Sequence, residues 1–441
     1  MAKGATFRIV NDVGLVHLDA PPVNALGAAL CARLWDIFQR VAQDKDIKAV
    51  VILAAGRMFS AGADIKELGK SQQAPALSDL CDLIEACKVP VVAAMQGAAL
   101  GGGAELAMAA HYRIALPQAV IGLPEVTLGL VPGAGGTQRL PRLVGAKNAL
   151  AMIIGGRAVA AMRAREMGLI DRVVADDLPL NAVAFARQVS GARPTRDGRD
   201  MLLDGAGFLR AVDDRRGVVA ASGRHAAQRA LECIEGALLL PFATGLALEA
   251  DAFADCLRHP QSQALRHVFL AERQIAPDLL RKTDQGRVVA DPAGTAVVAA
   301  LRMAWQRALE ALRQQGISET MIDGALVAHG FGCGPYGGRD AVRGPQSADV
   351  QFRMLAAVVA EGARLVAAGA VARAADIDAL AVHALGFPRG RGGPMKAAQL
   401  AGLLTLTEQM KLWAADDPIW QAPPFLRHAA LVSGGFDVVT P

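Results

Sequence analysis

Residues 97–106, GAALGGGAEL, and residues 121–145, IGLPEVTLGLVPGAGGTQRLPRLVG, decide how the first half of this 441-residue chain is read. The first segment continues VVAAMQG (91–97), an apolar run with strand character, through Gly101, Gly102 and Gly103 into an apolar helical run, Leu106 to Ala110. One carboxylate, Glu105, opens that helix. Glu125 also lies among apolar residues, 20 positions later. An isolated glutamate at such a place is read most simply as a helix-start charge. Two of them beside a glycine turn favour a functional acid–base pair, because apolar surroundings raise a carboxyl pKa towards neutrality.

A second glycine turn, FSAGADIKEL (59–68), follows the apolar run AVVILAA (49–55), which reads as a buried strand. In both turns small residues leave a strand end and lead into a helix. Backbone N–H groups can then converge on one acceptor, helped by the partial positive charge of the helix start. Two such turns from adjacent strands would make an oxyanion hole.

Working outward, residues 7–10 and 13–18 flank Asn11-Asp12 and predict a hairpin. Leu30, Leu34, Ile37, Phe38 and Val41 recur at helical spacing, as do Leu80, Leu83, Ile84 and Cys87, and YRIAL (112–116) is strand-like. Alternating strands and helices imply an α/β domain with parallel pairing. After about residue 190 strand signals fade, and 224–275 reads as helical, broken at Pro241 and Pro260.

From about 292 the chain repeats itself imperfectly. Arg302-Met303, Glu310, Gly316, Ile322-Asp323 and Gly330-Phe331 are echoed by Arg353-Met354, Glu361, Gly369, Ile377-Asp378 and Gly386-Phe387. A helix–helix–turn unit is repeated, predicting two similar helical lobes. The segment GFPRGRGGPM (386–395) reads as a helix-ending turn. Gly332-Cys333-Gly334-Pro335-Tyr336-Gly337 fits GxGxxG, but it follows a helix, carries Pro335 and lacks a surrounding βαβ unit, so it reads as a helix–helix turn.

Composition narrows the function. The chain is 53% hydrophobic and 20% charged, which supports packed cores; its alanine-rich, aromatic-poor balance (4%) favours closely packed helices. The net charge of +4 is spread without a basic block, so no nucleic-acid partner is expected, while a phosphate-bearing small molecule is compatible. Six scattered cysteines without a CxxC pair read as buried thiols of a reducing compartment. The start MAKGATFRIVND has no signal-peptide core, and Pro90, Gln96, the glycines and Glu105 interrupt the apolar stretch Val89–Ala110. We therefore expect a soluble cytoplasmic protein without a membrane span.

FSAGADIKEL, GAALGGGAEL and the 121–145 segment, in this order and spacing, resemble the enoyl-CoA hydratase/isomerase (crotonase) family over about residues 5–190, including AREMGLIDRVV (164–174). The resemblance implies a spiral of ββα turns and an acyl-CoA thioester substrate. It places the thioester oxygen between the N–H groups of Ala61 and Gly102, and makes Glu105 and Glu125 the catalytic pair. Both glutamates being present is the hydratase pattern, with β,γ to α,β isomerisation as a side activity and no metal. The remainder is similar to bifunctional β-oxidation enzymes, in which a crotonase domain is fused to a 3-hydroxyacyl-CoA dehydrogenase: ALRHVFLAER (264–273) resembles their linker helix and the repeated lobes resemble the dehydrogenase's C-terminal domains. Only PDLLRKTDQGRVV (277–289) stands where their NAD-binding Rossmann domain would be, so neither NAD nor dehydrogenase activity is expected. The domains expected are 1–190 (crotonase), 191–290 (helical linker region), 291–345 and 346–441 (two helical lobes). The linker helix favours a monomer. The rival reading is a non-catalytic acyl-CoA-binding or scaffold protein.

Overall fold

The computed structural model describes residues 4–69, 75–283 and 288–439. They form two compact units, Met1–His259 and Pro260–Pro441, divided inside the stretch read as helical linker.

In the first unit, β1 (Gly4–Val10) and β2 (Val13–Asp19) form the expected antiparallel hairpin around Asn11 and Asp12. Helix α1 (Ala28–Gln43) buries Leu30, Leu34, Ile37, Phe38 and Val41, the face its periodicity predicts. Strand β3 (Ala49–Ala54) is buried at every position, as a continuous apolar run requires. After α2 (Leu77–Glu85), β4 (Val91–Met95) pairs parallel to β3. The chain then turns a corner at Gly97, whose φ is +58° and whose missing Cβ would lie 1.9 Å from the Arg57 carbonyl oxygen. Only glycine fits there.

Past that corner the chain enters a second sheet. Strand β5 (Ala98–Leu100) leads into α3 (Gly102–Ala109); β6 (Tyr112–Ala115) returns to the large sheet and β7 (Val120–Gly122) to the small one. Helix α4 (Gly136–Gly155), bent at Gly145, is followed by β8 (Val159–Ala160), α5 (Ala161–Glu166), β9 (Arg172–Val173) and α6 (Leu178–Gln188). The large sheet has the order β1-β2-β3-β4-β6-β9, parallel apart from the hairpin, and the small one β5-β7-β8. Successive turns thus give a strand to each sheet before a helix, which is the ββα spiral.

Both faces of the large sheet are covered. Val51, Val92, Ala94 and Ile114 pack on Leu178, Ala182 and Phe185 of α6, while Val50, Ile52, Val91 and Ala93 join the main core with Phe38 and Phe59. Each fully buried aromatic contributes about 1.5–3 kcal/mol relative to an exposed one. Helices α7 (Gly205–Ala221), α8 (His225–Leu239) and α9 (Phe242–Arg258) close this core, with Pro241 separating α8 from α9.

The second unit begins with α10 (Pro260–Gln274) and a short antiparallel pair, β10 (Leu280–Lys282) and β11 (Val288–Ala290). Residues 284–287 of the 277–289 segment lie outside the described residues. The internal repeat becomes two helix pairs: α11 (Pro292–Gln314) with α12 (Glu319–His329), and α13 (Pro345–Ala367) with α14 (Ala374–Ala384). Helices α15 (Pro394–Ala401), α16 (Leu403–Trp413) and α17 (Pro424–Leu431) complete the unit, and both pairs share one core.

The second helix of each pair carries a buried aspartate that organises the turn that follows. Asp323 accepts the N–H groups of Tyr336 (2.9 Å) and Gly338 (2.6 Å); Asp378 accepts those of Met395 (2.7 Å) and Lys396 (3.1 Å) and pairs with His267. The GxGxxG stretch at 332–337 and the segment 386–395 are therefore helix–helix connections, pinned by these carboxylates. Among the described residues no helix is long and apolar enough to cross a membrane.

Candidate active site

The two glycine turns meet. The turn after β3 runs beside β5 through the Ser60–Ala99 bridge, with Ser60 N–H donating to Ala98 O (3.1 Å) and Leu100 N–H to Ser60 O (3.0 Å). Against them opens a cavity of about 320 Å³, lined mainly by apolar side chains such as Leu77, Leu128 and Phe253. Ala61, Gly102, Glu105 and Glu125, far apart in sequence, all line it.

Glu105 is 2% exposed. Its Oε1 accepts two backbone N–H groups, from Ala134 (2.7 Å) in the loop before α4 and from Gly136 (2.9 Å), the first residue of α4. Burial pushes its carboxyl above the ordinary value, and these two donors oppose that by stabilising the carboxylate. Glu125 follows β7 in a single 3-10 turn (Glu125–Leu128). The residue is partly exposed by area, but its Oε2 is sealed from solvent and makes no hydrogen bond among the described residues. Its other oxygen lies against Gly101, where a Cβ would come within 2.9 Å of it. Burial, and then the nearby charge of Glu105, hold the Glu125 carboxyl well above the usual carboxylate range. The two acids are thus differentiated: Glu105 by donors that favour the ion, Glu125 by a dry setting that favours the protonated form.

The oxyanion donors need one correction. Ala61 lines the cavity, but its N–H donates to Val23 O at 3.0 Å and so holds the turn in place. The amide that faces Gly102 is that of Ala63: a Cβ built on Gly102 would lie 3.2 Å from Ala63 N. Neither the Ala63 nor the Gly102 N–H donates to another group among the described residues. Gly102 thus lines the cavity with the Ala63 amide, rather than that of Ala61, as its neighbour.

A third buried glutamate stands behind the site, unsuspected from sequence. Glu249 of α9 is 1% exposed and accepts from Gly135 N (2.5 Å), Thr137 N (2.7 Å) and Thr137 Oγ1 (2.6 Å). Burial, reinforced by Glu105, raises its carboxyl to about 8. Its run FATGLALEADAFADCLR is an ordinary amphipathic helix, so only the tertiary contact gives it away. Among the described residues no group of three His, Cys, Asp or Glu is arranged to hold a metal ion.

Residues 8–196 match the family model described as enoyl-CoA hydratase/isomerase. The chain is 39% identical over 282 residues to a peroxisomal bifunctional enzyme of Danio rerio, covering 61% of this chain and 38% of that protein. It is 38% identical over 280 residues to the peroxisomal bifunctional enzyme of Homo sapiens, covering 60% and 38%. The chain thus spans well under half the length of these relatives. A solved enoyl-CoA hydratase from Bacillus anthracis is 29% identical and aligns over 61% of this chain and 96% of its own, with a TM-score of 0.40. What is shown is thus a domain, residues 8–196, that matches the enoyl-CoA hydratase/isomerase family model.

Proposed function

We propose that the first unit adds water across the 2,3 double bond of a 2-enoyl-CoA, and also shifts a β,γ double bond to α,β. One observation carries the reading: two unlike carboxyls, Glu105 and Glu125, face a single apolar cavity beside two uncommitted amides. The thioester carbonyl accepts from the Ala63 and Gly102 N–H groups. Its oxygen gains enolate character in the transition state, so fixed donors help most there. Ionised Glu105 takes a proton from water as the oxygen bonds to Cβ, and protonated Glu125 delivers its proton to Cα. Both acids return to their starting forms by proton exchange, and the pair titrates as a unit. Isomerisation needs one carboxylate that removes a proton at Cα and returns it at Cγ. The unpartnered Oε2 of Glu125 suits that shuttle.

The test is the ultraviolet absorbance of a conjugated enoyl-CoA incubated with the purified chain and no additive. A steady loss of absorbance supports hydration, and a flat trace contradicts it.

Hydration is redox-neutral, so the proposal asks for no nicotinamide. The GxGxxG stretch has also spent its amides within the turn rather than leaving them for a phosphate: Tyr336 N–H donates to Asp323, Gly334 N–H to Gly338 O and Gly337 N–H to Gly334 O. We expect calorimetric titration with NAD to give no binding heat, and micromolar binding would contradict this. The family's acyl-CoA substrates suit the mildly basic chain, and we place the protein, as a monomer, in a reducing compartment such as the cytoplasm, where its six free thiols persist.

A further inference from the structure

Four consecutive hydrogen-bonding residues at the start of α4 divide their amides between two buried carboxylates. Ala134 and Gly136 donate to Glu105, at 2.7 and 2.9 Å. Gly135 and Thr137 donate to Glu249, at 2.5 and 2.7 Å, with the Thr137 hydroxyl adding a third bond at 2.6 Å. The loop is therefore strung between the two acids with alternate amides facing opposite ways. Nothing in the proposed chemistry uses Glu249, yet it is 1% exposed, and burying a carboxylate without cause is costly.

We propose that Glu249 is a positioning residue for hydration: by clamping the Gly135 and Thr137 amides it keeps the intervening Ala134 and Gly136 amides aimed at Glu105. The inference rests on the two-glutamate reading above. Geometry gives the reason. A peptide segment cannot rotate one amide without moving its neighbours, so releasing Gly135 and Thr137 turns Ala134 and Gly136 away from Glu105. Glu105 then loses both donors that favour its ionised form, and the base becomes harder to deprotonate.

Charge alone would act in the opposite direction or not at all. The titratable groups around Glu249 are Glu105 and Glu125, Cys233 of α8, Arg139 of α4, and Asp79 and Asp82 of α2, the last three lining the same pocket as Glu249. Glu249 carries its charge only towards and above pH 8; where it is ionised its removal makes the neighbouring glutamates easier to ionise, and where it is protonated its removal changes no charge. The direction of the pH shift therefore separates positioning from simple charge.

The experiment compares Glu249→Gln with the wild type in 2-enoyl-CoA hydration across pH, normalised to folded protein by circular dichroism. Positioning predicts kcat lower by on the order of 10–10²-fold, as for a misplaced catalytic group, with KM little changed. It also predicts that the acid limb of the kcat profile moves to higher pH. Should that variant fold poorly, Thr137→Val removes one of the three bonds and is expected to move the limb the same way by less, while Thr137→Ser, which keeps the hydroxyl, stays at the wild-type position. An acid limb that stays put or moves down, with the wild type active, overturns the positioning role and leaves the two-glutamate reading intact. A wild type that cannot hydrate the substrate overturns both.

Discussion

Glu125→Gln is expected to abolish hydration and isomerisation together, whereas Glu105→Gln abolishes hydration and leaves isomerisation far less affected. Each lost reaction should fall by at least ~10²-fold in kcat, the contribution of a well-placed acid or base. The asymmetry follows from the two settings. On the proposed reading Glu105, whose carboxylate accepts the Ala134 and Gly136 amides, is the base for water, and water is consumed only in hydration. On the same reading Glu125, with its unpartnered Oε2 in the apolar cavity, is the proton carrier to carbon that both reactions need. The check is to measure a 2-enoyl-CoA and a 3-enoyl-CoA of equal chain length on both variants. Equal loss of isomerisation in the two would show that the carboxylates act as one indivisible unit.

Glu85→Ala should cost the first unit ~3–5 kcal/mol, the usual penalty for orphaning a buried charge. Glu85 and Arg139 are 0% and 1% exposed in their side chains and pair at 2.8 Å, with Arg196 bound to the same carboxylate at 2.8 Å. Arg139 also donates to Ala134 O (2.8 Å), tying this ion pair to the loop that serves Glu105. Urea unfolding of the full chain, followed in the transition of the first unit, reads the loss. The double variant Glu85→Leu with Arg139→Leu should recover part of it, because no charge is then left buried. The pH dependence has a fixed sign. Burial alone would raise the Glu85 carboxyl, but Arg139 and Arg196 outweigh it and hold the group below 4.5. Its stabilisation is therefore present above about pH 4.5 and lost as pH falls through the lower, folded-state value. Glu249 works the other way: with its carboxyl raised to about 8, it contributes stability below about pH 4.5 that is lost as pH rises towards 8.

The site was legible in sequence wherever its signal was local. Gly101–Gly103 followed by Glu105, and Glu125 in its apolar run, are read within ten residues, and the strand ends that carry them are buried apolar runs. The repeat at 292–387 was legible for the same reason, since Ile322-Asp323 and Ile377-Asp378 sit at equivalent places in α12 and α14. What was not legible depends on distant contacts. Which amide of the 61–63 turn faces Gly102 is fixed by Val23, whose carbonyl takes the Ala61 N–H. Glu249 meets its loop across a separation of 112–114 residues, and no pattern inside α9 distinguishes it from a surface glutamate.

The most direct measurement of the central claim is the initial rate at which the wild type, Glu105→Gln and Glu125→Gln bleach the ultraviolet absorbance of one conjugated 2-enoyl-CoA with no added cofactor. The two-glutamate account predicts turnover by the wild type and a rate at least ~10²-fold lower for each variant. A wild type that leaves the absorbance unchanged, or two variants that match it, would contradict the account.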